Sequence, residues 1–243
     1  MKPNYFQLFD TLKSLDVYPF KSYISSSQYL LAYQLILDYT TTSSTILDWG
    51  TGSGHFSFFL LEQGFNVTAF SIEKQCQLSD YLKSKFPNQY QFISDPNAIK
   101  KLPFKTDSFD IITSIGVLEH VREFKGQEND SLLEIYRILK PGGTFICYHL
   151  PNKFSWVEFL TPFLKKKYNH TYKYSRQDIK EMLNKANFYL FKTKRYGIFP
   201  RLTFRSLITS FLFANIFNQL DKYLSILFSI ICQNHYFVAK KSP

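Results

Sequence analysis

Four residues in the first quarter of the chain have types and a spacing that could hold a ligand: Asp48, Gly50, Gly52 and Gly54. The three glycines alternate with other residues, so the backbone can take positive φ angles there and no Cβ atom keeps a ligand away. The pattern differs from the dinucleotide-binding fingerprint G-x-G-x-x-G, because His55 stands at the position of its third glycine. The sequence therefore disfavours a nicotinamide or flavin dinucleotide.

The segments on either side of the glycines must hold them in place. Residues 45–47 are apolar or β-branched, which predicts a buried parallel strand, and the apolar stretch 55–63 predicts the helix that follows. Residues 67–72 predict a second strand, so the glycines lie within a β-α-β unit. Because open α/β sheets bind ligands at the carboxyl ends of their strands, Asp48 is predicted to face the ligand.

Residues 46–54, two hydrophobic residues followed by Asp-x-Gly-x-Gly-x-Gly, resemble the first motif of class I S-adenosylmethionine (SAM) dependent methyltransferases. The resemblance is to the methyltransferase type 11 and ubiquinone-biosynthesis methyltransferase group. Three further stretches resemble the family's motifs in the family's order: Asp95-Pro96-Asn97-Ala98 with Leu102-Pro103-Phe104 and Asp107-Ser108-Phe109-Asp110, then Leu118-Glu119-His120-Val121, then Leu139-Lys140-Pro141-Gly142-Gly143. The resemblance implies an α/β fold with a Rossmann-like, seven-stranded, mostly parallel sheet, helices on both faces and a helical C-terminal cap.

The resemblance also implies SAM as the cofactor. In the family the glycine loop cradles the amino-acid end of SAM, and an Asp after the third strand contacts the adenine with its neighbours. The cofactor-binding residues implied here are Asp48, Gly50, Thr51, Gly52, Gly54, Ser71, Ile72, Glu73, Asp95, Pro96, Asn97, Ala98, Ser114, Ile115, Gly116 and His120.

The residue that binds the ribose hydroxyls is left open. An acid at the end of the second strand has that role in Rossmann-like sites. Ser71 stands at the family's acidic position, and the nearest acid, Glu73, comes two residues later. Glu73 lies on the same strand face as Ser71 if the strand continues, but a carboxylate in the first turn of a helix is an equal interpretation.

Two histidines are the catalytic candidates, His120 and His149. Histidine titrates near neutrality and can act as a base or orient a substrate. His120 could instead only pack under the cofactor. Methyl transfer from SAM depends mainly on positioning, and a base is needed only where the nucleophile is protonated.

Charge divides the chain unevenly. Residues 1–139 contain 12 Lys or Arg and 15 Asp or Glu, whereas residues 140–243 contain 17 and 4, and the whole chain has a net charge of +10. The basic second part indicates either an anionic partner or a lysine-rich solvated surface. The three cysteines have no metal-ligand spacing, so no metal site is predicted.

The cysteines, the N-terminus and the apolar stretches indicate where the protein is located. Unpaired cysteines and an N-terminus without an apolar stretch favour a cytoplasmic protein. The uncharged stretches 206–220 and 223–239 are too short or too interrupted to cross a bilayer. Residues 201–231, with Arg201 and Arg205 at their head, predict a helical region that could be a membrane-surface helix at the inner membrane face, a dimer face or a lid.

Three segments are predicted along the chain: an N-terminal helical lead-in over 1–44, a SAM-binding core over 45–152, and a segment over 153–243 that covers the substrate and completes the same domain. Aromatic residues alternate with basic ones in residues 153–174, which suits an acceptor with apolar and anionic parts. These residues are Phe154, Trp156, Phe159, Phe163, Lys165, Lys166, Lys167, Tyr168, Tyr172 and Tyr174.

The predicted function is methyl transfer from SAM to a small-molecule, lipid or glycan-precursor acceptor. A nucleic-acid acceptor is disfavoured, because Ser114-Ile115-Gly116-Val117 replaces the Asn-Pro-Pro-aromatic or Pro-Cys elements of base methyltransferases. Two alternatives remain. One is a lipid-modifying enzyme similar to cyclopropane-fatty-acid synthase, with Glu119 and His120 at the reacting carbon, and the other is an inactive SAM-fold binding subunit.

Overall fold

The computed structural model describes residues 3–124, 126–161 and 170–243. Within them lies one seven-stranded sheet in the order β3-β2-β1-β4-β5-β7-β6. β7 is antiparallel to both of its neighbours, and the other six strands share one direction. The strands are β1 Thr45–Trp49, β2 Asn66–Ser71, β3 Tyr90–Ser94, β4 Phe109–Ile115, β5 Leu139–Pro151, β6 Tyr189–Tyr196 and β7 Asn234–Lys240. The predicted mostly parallel, seven-stranded sheet is confirmed.

Helices cover both faces of this sheet. Alternate residues along β1 show the division, because Ile46 packs into one core cluster and Leu47 into the other. The described helices are α1 Tyr5–Ser14, α2 Tyr23–Ser26, α3 Leu30–Leu37, α4 His55–Glu62, α5 Ser79–Lys85, α6 Glu128–Ile138, α7 Trp156–Leu160, α8 Arg176–Lys185 and α9 Phe211–Leu227. The lead-in helices α1 and α3 share a core with α4, and α6 and α8 pack on the opposite face.

After the second strand, the sequence pattern predicts a helix over 74–85. The first part of this prediction is wrong, because α5 begins only at Ser79. Residues 74–78 instead hold the glycine loop. The Leu78 N–H donates to the Ser53 carbonyl at 3.1 Å. A Cβ at Gly54 would lie 2.9 Å from the Cys76 Sγ. Tertiary contact with the loop has overridden the local helical pattern.

The Pro-Gly-Gly sequence also predicts a turn at 140–143 before the fifth strand, and this prediction is revised, because β5 is continuous from Leu139 to Pro151. Leu139 pairs with Phe109 before the register shifts, and Thr144 then pairs with Ile111. The Lys140 Nζ lies 2.9 Å from the Asp110 carboxylate, so a salt bridge anchors this part of the strand to β4.

The helical prediction for 201–231 is confirmed only in part. A 3₁₀ turn spans Arg201–Phe204, and α9 follows after an interruption. Arg201 is largely covered in this turn, and its Nη2 lies 2.9 Å from the Asp221 carboxylate. In the described parts of the chain, no helix is both long and apolar enough to cross a membrane. Phe163, Lys165, Lys166, Lys167 and Tyr168 lie outside the described residues.

Candidate active site

The glycine loop between β1 and α4 has the geometry that its sequence predicts. Gly50, Gly52 and Gly54 have φ angles of +76°, +53° and +89°. A Cβ atom at Gly50 would lie 2.5 Å from both Cγ atoms of Val117, which is closer than carbon atoms can approach. The N–H groups of Gly50 and Thr51 donate to the Phe70 carbonyl, which ties the loop to the end of β2. Glycine at position 50 is therefore required by both φ and space.

A first cavity of about 350 Å³ opens beside this loop at the carboxyl ends of β1, β2 and β4. Eight of the predicted cofactor residues line it: Gly50, Gly52, Ser71, Ile72, Glu73, Ala98, Gly116 and His120. The sequence analysis missed other lining residues, among them Trp49, Ile99, Val117 and Phe124. Trp49 lies inside the motif at 46–54 and Val117 directly precedes the motif at 118–121, so the position beside a motif residue was the signal that could have found them.

The remaining predicted cofactor residues lie outside the lining of the first cavity: Asp48, Thr51, Gly54, Asp95, Pro96, Asn97, Ser114 and Ile115. The Asp48 carboxylate is buried and accepts from the Ser57 hydroxyl at 2.6 Å. Burial raises the pKa of Asp48, and the hydroxyls that donate to its carboxylate oppose the rise. Asp48 therefore stabilises the glycine loop through its hydrogen bond with Ser57 of α4.

Asp95 closes a turn. Its Oδ1 accepts from the Asn97 N–H at 2.9 Å, which is the geometry of an Asx turn. Ala98 follows this turn and lines the first cavity. The structure thus gives Asp95 a role in placing Ala98, and a direct contact of Asp95 with adenine stays a prediction.

A second cavity of about 470 Å³ adjoins the first. Gly116 and His120 line both cavities. The second cavity is otherwise lined by residues from distant parts of the chain: Ser25, Gln28 and Tyr29 of the lead-in, Glu119, His149, Val157, Glu158, Thr161, His170, and residues of the segments 196–203 and 233–234. The lead-in thus contributes to the second cavity, and sequence patterns did not reveal this.

Comparison with known proteins assigns the chain to a family. The profile of the methyltransferase-domain family matches residues 23–193, which is more than two thirds of the chain. The chain belongs to the methyltransferase-domain family.

Two relatives illustrate the likeness. An uncharacterized methyltransferase of Schizosaccharomyces pombe is 33% identical over 127 residues, 51% of this chain and 47% of that protein. The ubiquinone/menaquinone biosynthesis C-methyltransferase UbiE of Rickettsia typhi is 28% identical over 124 residues, 47% of each chain. The chain thus spans about half the length of these relatives.

A solved structure shows the same fold. It is the phosphoethanolamine N-methyltransferase 2 of Haemonchus contortus, in complex with phosphomonomethylethanolamine and S-adenosylhomocysteine. It superposes with a TM-score of 0.61 at 16% identity, over 97% of this chain and 60% of that chain.

The first cavity fits SAM, the cofactor that the sequence resemblance implies. The cradle left by Gly50 and Gly52 gives the amino-acid end access to backbone N–H groups. Glu73 is the carboxylate beside the end of β2 that can accept from ribose hydroxyls. Ala98 and Ile99 offer an apolar surface for the adenine ring. A volume of about 350 Å³ also lies in the range of small-ligand sites.

His120 lies where the two cavities meet. Its Nδ1 is 3.0 Å from the Glu123 Oε1, and its Nε2 is 3.9 Å from the Glu119 Oε1. The imidazole is half-buried, with 28% of the side chain exposed, so it can reach an acceptor as well as solvent. This position agrees with the predicted catalytic role, which stays a prediction.

Glu119 is a buried carboxyl that lines the second cavity. Only 5% of the residue is exposed, and its Oε2 has no hydrogen-bond partner among the described residues. Burial raises the pKa of Glu119 to about 8. The carboxyl group is therefore largely protonated at pH 7, so it can donate a hydrogen bond as well as accept one.

His149 lines the second cavity beside Tyr196. It lies at a bulge where the β5 to β7 register shifts, and its φ is +70°. The Tyr196 hydroxyl accepts from the His149 N–H at 3.1 Å and lies 2.8 Å from its Nδ1. Burial lowers the pKa of His149 to about 3, so the ring is neutral.

The contacts of the Tyr196 hydroxyl allow either tautomer of the neutral His149 ring. The hydroxyl can donate its hydrogen to Nδ1, which leaves the ring proton on Nε2, or accept from an Nδ1–H group, which leaves Nε2 as an acceptor. That Nε2 is buried without a described partner. The catalytic role of His149 stays a prediction.

The other charged groups around the second cavity are paired. Glu158 contacts the His170 Nδ1 at 2.6 Å and the Lys173 Nζ at 3.3 Å, and Arg201 pairs with Asp221. Among the residues that the structure describes, no group of three or more His, Cys, Asp or Glu could hold a metal ion. The unpartnered polar atoms at this cavity belong to the neutral groups of Glu119 and His149.

Proposed function

We propose that the chain is a SAM-dependent methyltransferase that transfers the methyl group to a small-molecule or lipid acceptor bound in the second cavity. The observation that carries the proposal is the shared lining of the two cavities by Gly116 and His120. Methyl transfer requires the acceptor nucleophile to approach from a separate pocket that meets the cofactor site. The position of glycine between the cavities leaves that approach open.

Bound SAM would supply a methyl group on a sulfonium, which is already a good leaving group. The nucleophile forms the new bond to carbon, the carbon–sulfur bond breaks, and its electron pair stays on sulfur to give S-adenosylhomocysteine. Where the nucleophile carries a proton, His120 is the side chain placed to accept it. Glu119 and His149 would orient the acceptor through buried polar atoms that have no partner among the described residues.

The charges of the second cavity support an acceptor whose reacting end is uncharged but polar. The cationic Arg201 and the anionic Glu158 already have partners of opposite charge. An acceptor phosphate or carboxylate would need a cation outside these pairs. We therefore expect any anionic part of the acceptor to lie away from its reacting end. The similarity to a relative named for ubiquinone and menaquinone biosynthesis adds support for a lipid or small-molecule acceptor.

A second candidate is methylene transfer to a lipid double bond, as in cyclopropane-fatty-acid synthases. The position of both Glu119 and His120 on the second cavity favours it. The two reactions add the same mass to the acceptor, but only cyclopropanation removes a double bond.

The test combines binding with transfer. Calorimetric titration with SAM and with S-adenosylhomocysteine measures the affinity of each ligand for the cofactor site that we assign to the first cavity. Incubation with SAM carrying a labelled methyl group, together with a total lipid extract, isoprenoid quinols or soluble phenols and amines, follows label in the acceptor fraction. We expect binding of both ligands and label in one acceptor class. A chain that binds SAM but labels none of them supports the inactive binding subunit, and a chain that binds neither ligand contradicts the proposal.

A further inference from the structure

Helix α9 has its polar and apolar faces reversed relative to an ordinary surface helix. Its buried residues include Asp221 and Ser225, whereas the residues that point outward are largely apolar. The Asp221 Oδ1 accepts from the N–H groups of Ile198 and Phe199 at 2.8 and 3.0 Å. The Ser225 hydroxyl accepts from the Gly197 N–H at 3.1 Å. Polar contacts therefore hold α9 to the end of β6.

The outward side of α9 continues into the turn after it. The exposed apolar residues, called the α9 face below, are Leu212, Phe213, Ile216, Leu220, Tyr223, Ile226, Leu227, Phe228, Ile230 and Ile231. Their exposed fractions range from 40% at Ile231 to 74% at Leu227. Contiguous apolar surface of this extent marks an interaction site, because water-exposed apolar area costs roughly 25 cal/mol per Å² relative to burial.

The charges around the α9 face indicate what covers it. Residues 201–231 contain one acid, Asp221, which is buried and paired with Arg201. The exposed charges in the same range are Arg205 and Lys222, both cationic. An anionic surface complements this arrangement. A second copy of the chain, related by a twofold axis, would bring cations against cations.

The buried side of α9 contacts a segment that lines the second cavity. Phe199, Pro200, Arg201 and Thr203 line that cavity and come before α9, which begins at Phe211. Asp221 of α9 binds the main chain of Phe199 and the side chain of Arg201. The helix that carries the α9 face therefore also supports one wall of the cavity that we assign to the acceptor.

We propose that the α9 face lies in the surface of an anionic lipid bilayer, with the helix axis parallel to the membrane. The 17 residues of α9 give a helix about 25 Å long, with apolar side chains that enter the acyl region and basic side chains at the headgroups. Docking would hold the chain at a surface that contains lipid acceptors, and that consequence rests on the proposed function. The docking itself does not.

The test is co-sedimentation of the full chain with two sets of vesicles, phosphatidylcholine alone and phosphatidylcholine with phosphatidylglycerol at a ratio of about 7:3. We expect stronger binding to the anionic vesicles and weaker binding as salt is raised. Ile216→Ser with Leu220→Ser should weaken binding at least about tenfold, because two apolar contacts are lost. Lys222→Gln should weaken binding to anionic vesicles about fivefold, the effect of one charge near such a surface.

The matched controls are Leu133→Ser on α6 and Lys180→Gln on α8, which remove an exposed leucine and an exposed lysine elsewhere. They should bind vesicles as the unchanged chain does. Calorimetric titration with SAM checks that each variant is folded, so loss of docking is distinguished from loss of the cofactor site. Equal binding by the α9 variants and controls would overturn the proposal. So would a dimer in light scattering that the Ile216 and Leu220 changes dissociate without any effect on vesicle binding.

Discussion

The two adjoining cavities are built in different ways. The first is lined mainly by the carboxyl ends of β1 and β2, by the segment after β4 as far as Ser131 of α6, and by residues a few positions beyond β3. The second draws on the lead-in, on the bulge at His149, on α7 and on the segment before α9. The first cavity forms where the carboxyl ends of neighbouring strands meet, whereas the second forms only when segments distant in the chain have packed together. Cofactor binding and acceptor binding should therefore respond differently to substitution.

The strongest test of the first cavity is Gly50→Ala. The added Cβ would lie 2.5 Å from Val117, and the backbone φ there is +76°. Overpacking and left-handed strain together cost roughly 2–5 kcal/mol, so SAM affinity should fall at least about 100-fold in calorimetry. Gly142→Ala is the control, since its φ is +74° and nothing lies within 4 Å of the added Cβ. Gly142→Ala should lose some stability and keep its affinity for SAM. Equal SAM affinity in the two variants would contradict the assignment of the first cavity as the SAM site.

His120→Ala tests the junction of the cavities. Because His120 lines both, we expect methyl transfer to fall about 100-fold, the usual contribution of an acid–base group, while SAM affinity changes less than about tenfold. Labelled-methyl transfer and calorimetry measure the two effects separately. Glu123→Gln is the control, since glutamine retains an acceptor for the His120 Nδ1, and its effect should be small. A parallel loss of SAM affinity in His120→Ala would assign His120 to the cofactor cavity alone.

Glu119→Gln tests the burial of an ionisable group in the second cavity. Its folded pKa of about 8 exceeds the ordinary value of 4.5, so the folded state retains a proton that the unfolded state loses between these pH values. The free energy of unfolding of the unchanged chain should therefore decrease as pH rises from 4.5 to 8. In the glutamine variant this decrease should be smaller by at least about 2 kcal/mol. Chemical denaturation at several pH values measures it.

The matched change for Glu119→Gln is Glu134→Gln. Glu134 lies 2.7 Å from Arg137, and this partner lowers the pKa of its carboxyl group. The sign is therefore opposite: the carboxylate of Glu134 stabilises the fold above its ordinary pKa, and its loss should destabilise the chain at neutral pH. Identical pH dependence in the Glu119 variant and the unchanged chain would show that the carboxyl is hydrated.

Sequence patterns captured the first cavity because its determinants are local. Strand periodicity predicted where the strands end. The residue type at positions 50, 52 and 54, glycine, predicted the positive φ angles that the loop has. The second cavity was predicted only in outline. The aromatic Tyr29 reaches it from the lead-in, and nothing in the residues around position 29 specifies a neighbour more than 80 residues away.

The errors along the chain have the same origin. The first half of the predicted helix over 74–85 has a helical pattern, but it packs against the glycine loop. The predicted helical region over 201–231 begins instead with a 3₁₀ turn, in which Arg201 pairs with Asp221 of α9. Each outcome depends on contacts between segments far apart in the chain, which a local pattern does not contain.

Asp48→Ala distinguishes support of the glycine loop from contact with the cofactor. Its removal leaves the buried hydroxyl of Ser57 without its acceptor, so the free energy of unfolding should fall by about 1–3 kcal/mol. SAM affinity should fall about tenfold as a consequence of the loosened loop. Calorimetry and chemical denaturation on the same variant check that both change. A loss of affinity with unchanged stability would instead place the Asp48 carboxylate in contact with SAM.

The smallest expected effects resolve the ribose contact. Glu73 lines the first cavity, whereas the carboxylate of Asp95 is engaged in a turn. Glu73→Gln should therefore weaken SAM binding about fivefold, the loss of one charge-assisted hydrogen bond. Asp95→Asn keeps an acceptor for the Asn97 N–H and should change affinity less than about twofold. The reverse order in calorimetry would mean that Asp95 contacts the cofactor directly, as the family resemblance implies. The expected order would mean that the acid displaced from position 71 to position 73 still serves the ribose hydroxyls.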